Sequence, residues 1–348
     1  MKTVSRVISS VCLLVITALA VAAAKSMPLL FVSWYPDFSR KAMDFLANIT
    51  GVFPFPVWEI LAALLLAAGI VSLIKSLAKL KILRWLSGVL WTASLLLLLF
   101  TALWGLNHLL PTKTEDIVDI QITSVPELHD AAAYYGEKAS ALAAQVQRDD
   151  SGLPVMDGYA AEAAENMRRL EPMGFYVPEK LEVKTLWAGQ LFSYAGTTGI
   201  FVPFTGEACV NPGTYAASLP FVSCHELAHR MGITDEEEAD FLAFLATREG
   251  SVDAQYSAYY SAFLYCYNAL YALSPDAALE LFSKQTPQLQ KDLQQAGEYY
   301  ATFEGSVQDA VKKVNDAYLK AFDEEGIQSY DLVSNALVAW YEKNEKNA

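Results

Sequence analysis

Histidine and cysteine are both scarce here, at four of each in 348 residues. The cysteines Cys12, Cys209, Cys224 and Cys266 never fall in a CxxC spacing, which argues against a four-thiolate zinc site. A Cys209–Cys224 disulfide would need an extracytoplasmic location, and nothing in the spacing favours it. Lys/Arg clusters are missing from the later part of the chain, while all but Asp37, Asp44 and Glu59 of the 39 acidic residues lie beyond Thr112. An acidic region without basic patches argues against nucleic acid as a partner, because phosphate binding is driven by such patches. Neither an internal repeat nor a low-complexity tract is found.

What the chain has is apolar length. It is 53% hydrophobic with a mean hydropathy of +0.24, more apolar than an ordinary soluble protein of this size. The excess gathers in three runs, Val7–Ala24, Val57–Ile74 and Trp85–Leu106, each long enough to cross a bilayer as a helix. The first run has a basic start, like a signal peptide, but two more spans follow it, so it reads as an anchor. Lys75, Lys79, Lys81 and Arg84 lie between the second and third runs with no acidic residue among them. The positive-inside rule then predicts a cytoplasmic loop and N-terminus. It also predicts an outside loop from Lys25 to Pro56 and an outside location for everything after His108. The expected organisation is a cell-membrane, multi-pass anchor over residues 1–110, followed by an extracytoplasmic domain over residues 111–348.

The later region reads as mainly α with a small β-sheet. Val125–Arg148 and Gly158–Leu170 have helical composition and pattern. LEVKTLW and TGIFVPF are short β-branched and aromatic runs bounded by turn residues, which suggests two or three strands. From Leu219 to about Lys343 nearly everything reads as helix.

The chemistry concentrates at CHELAHRMG, residues 224–232. His225 and His229 are four apart, so on a helix they project from one face a turn apart and can share one Zn²⁺. Glu226 is placed as general base toward a zinc-activated water, and later as proton donor to a leaving amine. This is the physical reason an HExxH motif carries peptide hydrolysis. Gly232 can end this helix, and Thr234 with Glu237 reads as a capping box for the next. On that second helix Glu236 and Asp240 share a face. Glu236 is then a third zinc ligand, and Asp240 can orient a ligand histidine through its other ring nitrogen. Asp235 competes as third ligand, because HELAHRMGITD also fits HExxHxxGxxD; another nearby acid stays open too. Glu238 reads as solvated or packed against the sheet.

Two further features bear on a substrate. The stretch Gly199–Gly213 precedes the motif helix, and reads either as an edge strand that pairs with an extended peptide or as an ordinary hairpin. Glu207 within it reads as a turn carboxylate. The tyrosines Tyr256, Tyr259, Tyr260, Tyr265 and Tyr267 read mostly as aromatic core, with one available to stabilise an oxyanion.

WGLNH, GIFVPFTGEACVN, LPFVSCHELAHRMGITDEEEADFLAFLA, YSAYYSAFLYCYNAL and VNDAYLK…GIQSYDLV occur in that order. Together they resemble a bacterial membrane family with a domain of unknown function, in which HELAH is followed by E-x-E-A-N. The resemblance implies a membrane-anchored, zincin-like metallopeptidase. The E-x-E-A-D/N signature is also similar to that of gluzincin membrane proteases, which implies zinc binding by Glu236 and support from Asp240. Two departures stand out: His108 where the family tends to have Tyr, and Asp240 where it tends to have Asn. The expectation is three transmembrane helices followed by a zincin-like zinc metallopeptidase acting on a peptide or protein substrate, with membrane lipid as its other partner. A catalytically inactive, zinc-stabilised membrane scaffold or receptor domain is the alternative; Glu226 argues against it, since a purely structural site needs no base.

Overall fold

The apolar runs form helices in the computed structural model, which describes residues 3–321 and 330–346. These helices are α1 (Thr3–Ser26), α3 (Val57–Ala78) and α4 (Ile82–Leu103), each long and apolar enough to cross a membrane. The third starts and stops three residues earlier than its apolar run, because the chain turns into a short 3-10 segment at Gly105–Leu109. Between α1 and α3 the sequence suggests a loop, but the structure has a second helix there, α2 (Pro28–Thr50). Pro28 opens it, where a missing N–H costs nothing. Its charged residues Asp37, Arg40, Lys41 and Asp44 keep it from reading as an apolar run.

The chain divides into two compact units. The first is Met1–Leu110 together with Val202–Glu207; the second is Pro111–Phe201 together with Ala208–Ala348. Within the first unit α1 and α4 run parallel. Arg6 Nη1 donates to Arg84 O at 3.3 Å and Trp91 Nε1 to Ser9 Oγ at 3.1 Å, while Ala24 and Leu106 share one apolar cluster. A tight turn at Lys79–Lys81 reverses the chain, so α3 is antiparallel to α4, and Trp85 Nε1 donates back to Ser72 Oγ at 3.0 Å. Ser39 of α2 donates to Leu103 O at 2.7 Å and accepts from Asn107 Nδ2 at 2.9 Å, which satisfies polar groups at the end of α4. The turn Val202–Glu207 joins this unit. Thr50 Oγ1 donates to Thr205 O, and the Glu207 carboxylate accepts the N–H groups of Val57 and Trp58 at 2.8 Å each. Glu207 is therefore the anion at the N-terminus of α3, where the helix dipole favours one.

The second unit is mostly helical: α5 (Thr114–Ile117), α6 (Val125–Ala143), α7 (Tyr159–Arg168), α8 (Gly189–Tyr194), α9 (Leu219–Arg230), α10 (Glu236–Thr247), α11 (Val252–Leu273), α12 (Pro275–Ser283), α13 (Pro287–Ala301), α14 (Ser306–Ala321) and α15 (Tyr330–Asn344). Residues 322–329 lie outside the described residues, and part of the GIQSYDLV motif and of the continuous helix read from Leu219 onward falls there. Ser124 and Glu127 form the capping box that starts α6. That helix stops at Ala143, five residues short of its pattern, because Asp149 accepts from Ser151 N and Leu153 N and folds the chain into a turn. Arg148 then reaches the fully buried Asp292 with two hydrogen bonds of 2.8 Å, and Tyr256 donates to the same carboxylate. The core lies between α6, α10, α11 and α15, filled by Tyr135, Phe241, Phe244 and Phe263. A three-stranded sheet of β1 (Val183–Thr185), β2 (Gly199–Val202) and β3 (Glu207–Val210) has the order β1-β3-β2. β1 pairs with β3 in parallel, Val183 opposite Ala208, which leaves β2 at an edge.

Candidate metal centre

Helix α9 is buried at every residue except His225, its polar side chains included, so its orientation is fixed by packing against α7 and α10. That rigidity positions His225 and His229. Gly232 follows with φ of +95°, a left-handed conformation that costs glycine little, and Ile233 N closes the helix end onto Ala228 O at 3.2 Å. The same turn brings Ile233 O to within 2.8 Å of His229 Nδ1. On the other ring, His225 Nδ1 lies 2.7 Å from Asp240 Oδ1. A carbonyl can only accept, so the Nδ1 of His229 carries the proton, and the Asp240 carboxylate imposes the same tautomer on His225.

Both Nε2 atoms therefore turn their lone pairs toward one point. They lie 3.0 Å apart, and Glu236 Oε2 stands 3.2 Å from one and 3.5 Å from the other. Three electron-rich atoms at such distances need a proton or a cation among them. The edges of a tetrahedron around a zinc ion with bonds near 2.05 Å would be about 3.3 Å, and these three distances bracket that figure. His225, His229 and Glu236 could thus hold a metal ion. The two imidazoles are 15% and 9% exposed and the Glu236 side chain 51%, so the cluster is walled on the protein side and open toward solvent.

The electrostatics without a cation fit this picture. Burial works against charge on both histidines, but Asp240 and Glu236 outweigh it: His225 lies well above its ordinary pKa and His229 also lies above it. Glu236 is half exposed, and the two rings hold it well below the usual carboxylate range. Glu226 differs: burial dominates and pushes it up to about 7. Its Oε2 is buried without a hydrogen-bond partner. Gly199, at the start of β2, lies so close over this carboxylate that an added Cβ would collide with Glu226 Cγ and Cδ.

The chain belongs to the family described as protein of unknown function (DUF3810). The family model matches residues 35–338, from within α2 to within α15. No curated protein and no solved structure matches the DUF3810 chain. Two local sequence expectations need correction on geometry. Asp235, not Thr234, caps α10: its Oδ1 accepts from Glu238 N at 2.7 Å, so that oxygen faces the helix start while Glu236 faces the histidines. Glu238 is buried against the segment just before α5, where Oε1 accepts from Lys113 N at 2.7 Å, instead of lying in solvent or on the sheet. Tyr265 spends its hydroxyl on Asp240 Oδ2 at 2.7 Å. Cys209 and Cys224 are both buried and are not joined in a disulfide. The Ile233 carbonyl, Gly199 and the Tyr265–Asp240 contact were not read as site features from sequence; only Gly232, as a helix-ending residue before a turn, signals the first of them.

Proposed function

We propose that this protein is a membrane-anchored, zincin-like zinc metallopeptidase, with Zn²⁺ held by His225, His229 and Glu236 and with Glu226 as general base. The observation that carries this reading is the convergence of two imidazole lone pairs and a carboxylate oxygen beside the unpartnered oxygen of Glu226. Zinc, when bound, supplies Lewis acidity toward a water and a scissile carbonyl. Glu226, a buried carboxylate next to the first ligand histidine, is the group to take a proton and pass it to the leaving amine. Asp240 and Ile233 O hold the rings in the ligating tautomer. β2 begins over Glu226 and is an edge strand of the sheet, the position at which an extended peptide would add. The basic residues at the α1 and α4 starts lie at one end of the bundle, which supports a cytoplasmic position for that end and an extracytoplasmic catalytic unit.

The test is zinc analysis and casein cleavage by the detergent-purified full chain, wild type against Glu226→Gln. Zinc should be retained in both, and cleavage should fall by about 10²–10⁴ in the variant. Equal cleavage by the two proteins would sink the catalytic mechanism, and failure of the wild type to take up zinc would sink the metal site. Zinc retention with no cleavage by either would instead favour a silent, metal-held scaffold.

A further inference from the structure

The directions of α1, α3 and α4 constrain what α2 can do. α1 and α4 are parallel, and α3 is antiparallel to α4. The C-termini of α1 and α4 and the N-terminus of α3 therefore share one end of the bundle. A helix linking the end of α1 to the start of α3 must begin and finish at that end. The contacts of α2 agree. Phe31 and Tyr35 cluster with Ala24 and Leu106, Tyr35 and Ser39 bond to Thr101 O and Leu103 O, and Thr50 bonds to Thr205 O. Each of those partners within α1 or α4 belongs to the last turns of its helix.

Helix α2 has three sectors. Phe31, Tyr35, Ser39, Met43 and Thr50 are buried against its own unit. Asp37, Arg40, Lys41 and Asp44 form a charged sector. Leu30, Trp34, Phe38, Phe45 and Ile49 form a third, spaced by fours and a seven, with exposures of 46% to 66%. An apolar stripe beside a charged one, rich in aromatics, is the pattern of a helix lying in a membrane interface. The same unit already carries an exposed apolar surface suited to lipid: α3 has no buried residue along its length.

We propose that α2 is an interfacial helix lying along the bilayer surface, with Leu30, Trp34, Phe38, Phe45 and Ile49 set into the boundary between lipid headgroups and acyl chains. It adds no crossing, so the chain spans the membrane three times despite having four long N-terminal helices. This inference does not depend on the metal site or on any peptidase activity.

Spin labels placed singly at residues 30, 38, 45 and 49 of the full chain, in a Cys12→Ser background, test it. The protein is reconstituted in vesicles of phosphatidylethanolamine and phosphatidylglycerol at 3:1, and oxygen and nickel-chelate accessibilities give each label's depth. All four labels should lie at one shallow depth, within about 5–10 Å of the headgroup boundary. A spanning helix would carry the labels through about 28 Å of depth between residues 30 and 49, and that gradient would overturn the proposal. Equally fatal would be labels as open to the nickel chelate as in water, or labels shielded from both reagents by a second copy of the chain. A measurement free of labels uses lipids brominated at different acyl positions. The fluorescence lost on Trp34→Phe should be quenched best by bromines nearest the headgroup; strongest quenching by mid-bilayer bromines would contradict the placement.

Discussion

Asp240 stands 2.7 Å from His225 Nδ1 with its second oxygen engaged by Tyr265, so each of its two oxygens has a structural partner. Asp240→Ala would free the His225 ring to change tautomer and rotate. Zinc affinity, measured by competition with a chelating dye, should fall about 10- to 100-fold. Tyr265→Phe, which leaves the carboxylate in place, should lose less. An Asp240→Ala protein that binds zinc as tightly as wild type would remove Asp240 from the site.

Gly199 leaves no room for a side chain above Glu226. Gly199→Ala should displace that carboxylate while leaving the three ligating side chains alone. On the reading that Glu226 is the base, cleavage should drop by about 10² with zinc content unchanged. Loss of zinc together with activity would show that the glycine supports the whole centre and not the base alone.

Glu238 is buried beside Lys113, with Asp235 and Asp116 nearby, and burial raises it to about 7. Its folded-state pKa thus exceeds that of the unfolded chain, so the folded protein binds the extra proton and stability falls as pH rises from about 4.5 to 7. Glu238→Gln keeps an acceptor for Lys113 N and removes the buried charge. The variant should melt several degrees above wild type at pH 8, for roughly 2 kcal/mol, with little difference at pH 5. A variant that is less stable at pH 8 would mean that the charge is favourable where it sits.

The Arg148–Asp292 pair sits at the other extreme, a carboxylate with no exposure held by two hydrogen bonds from one guanidinium. Arg148→Ala would strand that carboxylate with Tyr256 and Gln288 as its remaining donors. A loss of roughly 3–5 kcal/mol is expected, read as a fall of about 10 °C or more in melting temperature. A shift within 2 °C would show that the pair adds nothing to stability.

The parts of the fold that a short sequence window can specify were legible. The apolar runs at α1, α3 and α4 announce helices by length alone, and HELAH announces convergent imidazoles because helical spacing fixes where residues four apart point. Helix α2 was not legible, since its charged sector breaks the apolar run and its partners lie far along the chain, at Thr101, Leu103 and Thr205. The cap of α10 was misplaced by one residue: Thr234 and Asp235 are both competent caps, and only the backbone path after Gly232 decides between them. Arg148 looked like the tail of α6 because its partner, Asp292, is 144 residues away. Long-range pairing of this kind leaves no trace in local periodicity.

The turn Val202–Glu207 belongs to the same unit as the four N-terminal helices. A soluble fragment cut at Pro111 would therefore lose not just its tether but the scaffolding under that turn: Thr50 for Thr205, and the first amides of α3 for Glu207. Both strands leading from the turn would be left with loose ends, and one of them runs back to Gly199. Rates measured on such a fragment would describe a frayed hairpin, whereas the intact polypeptide in detergent or lipid retains its support.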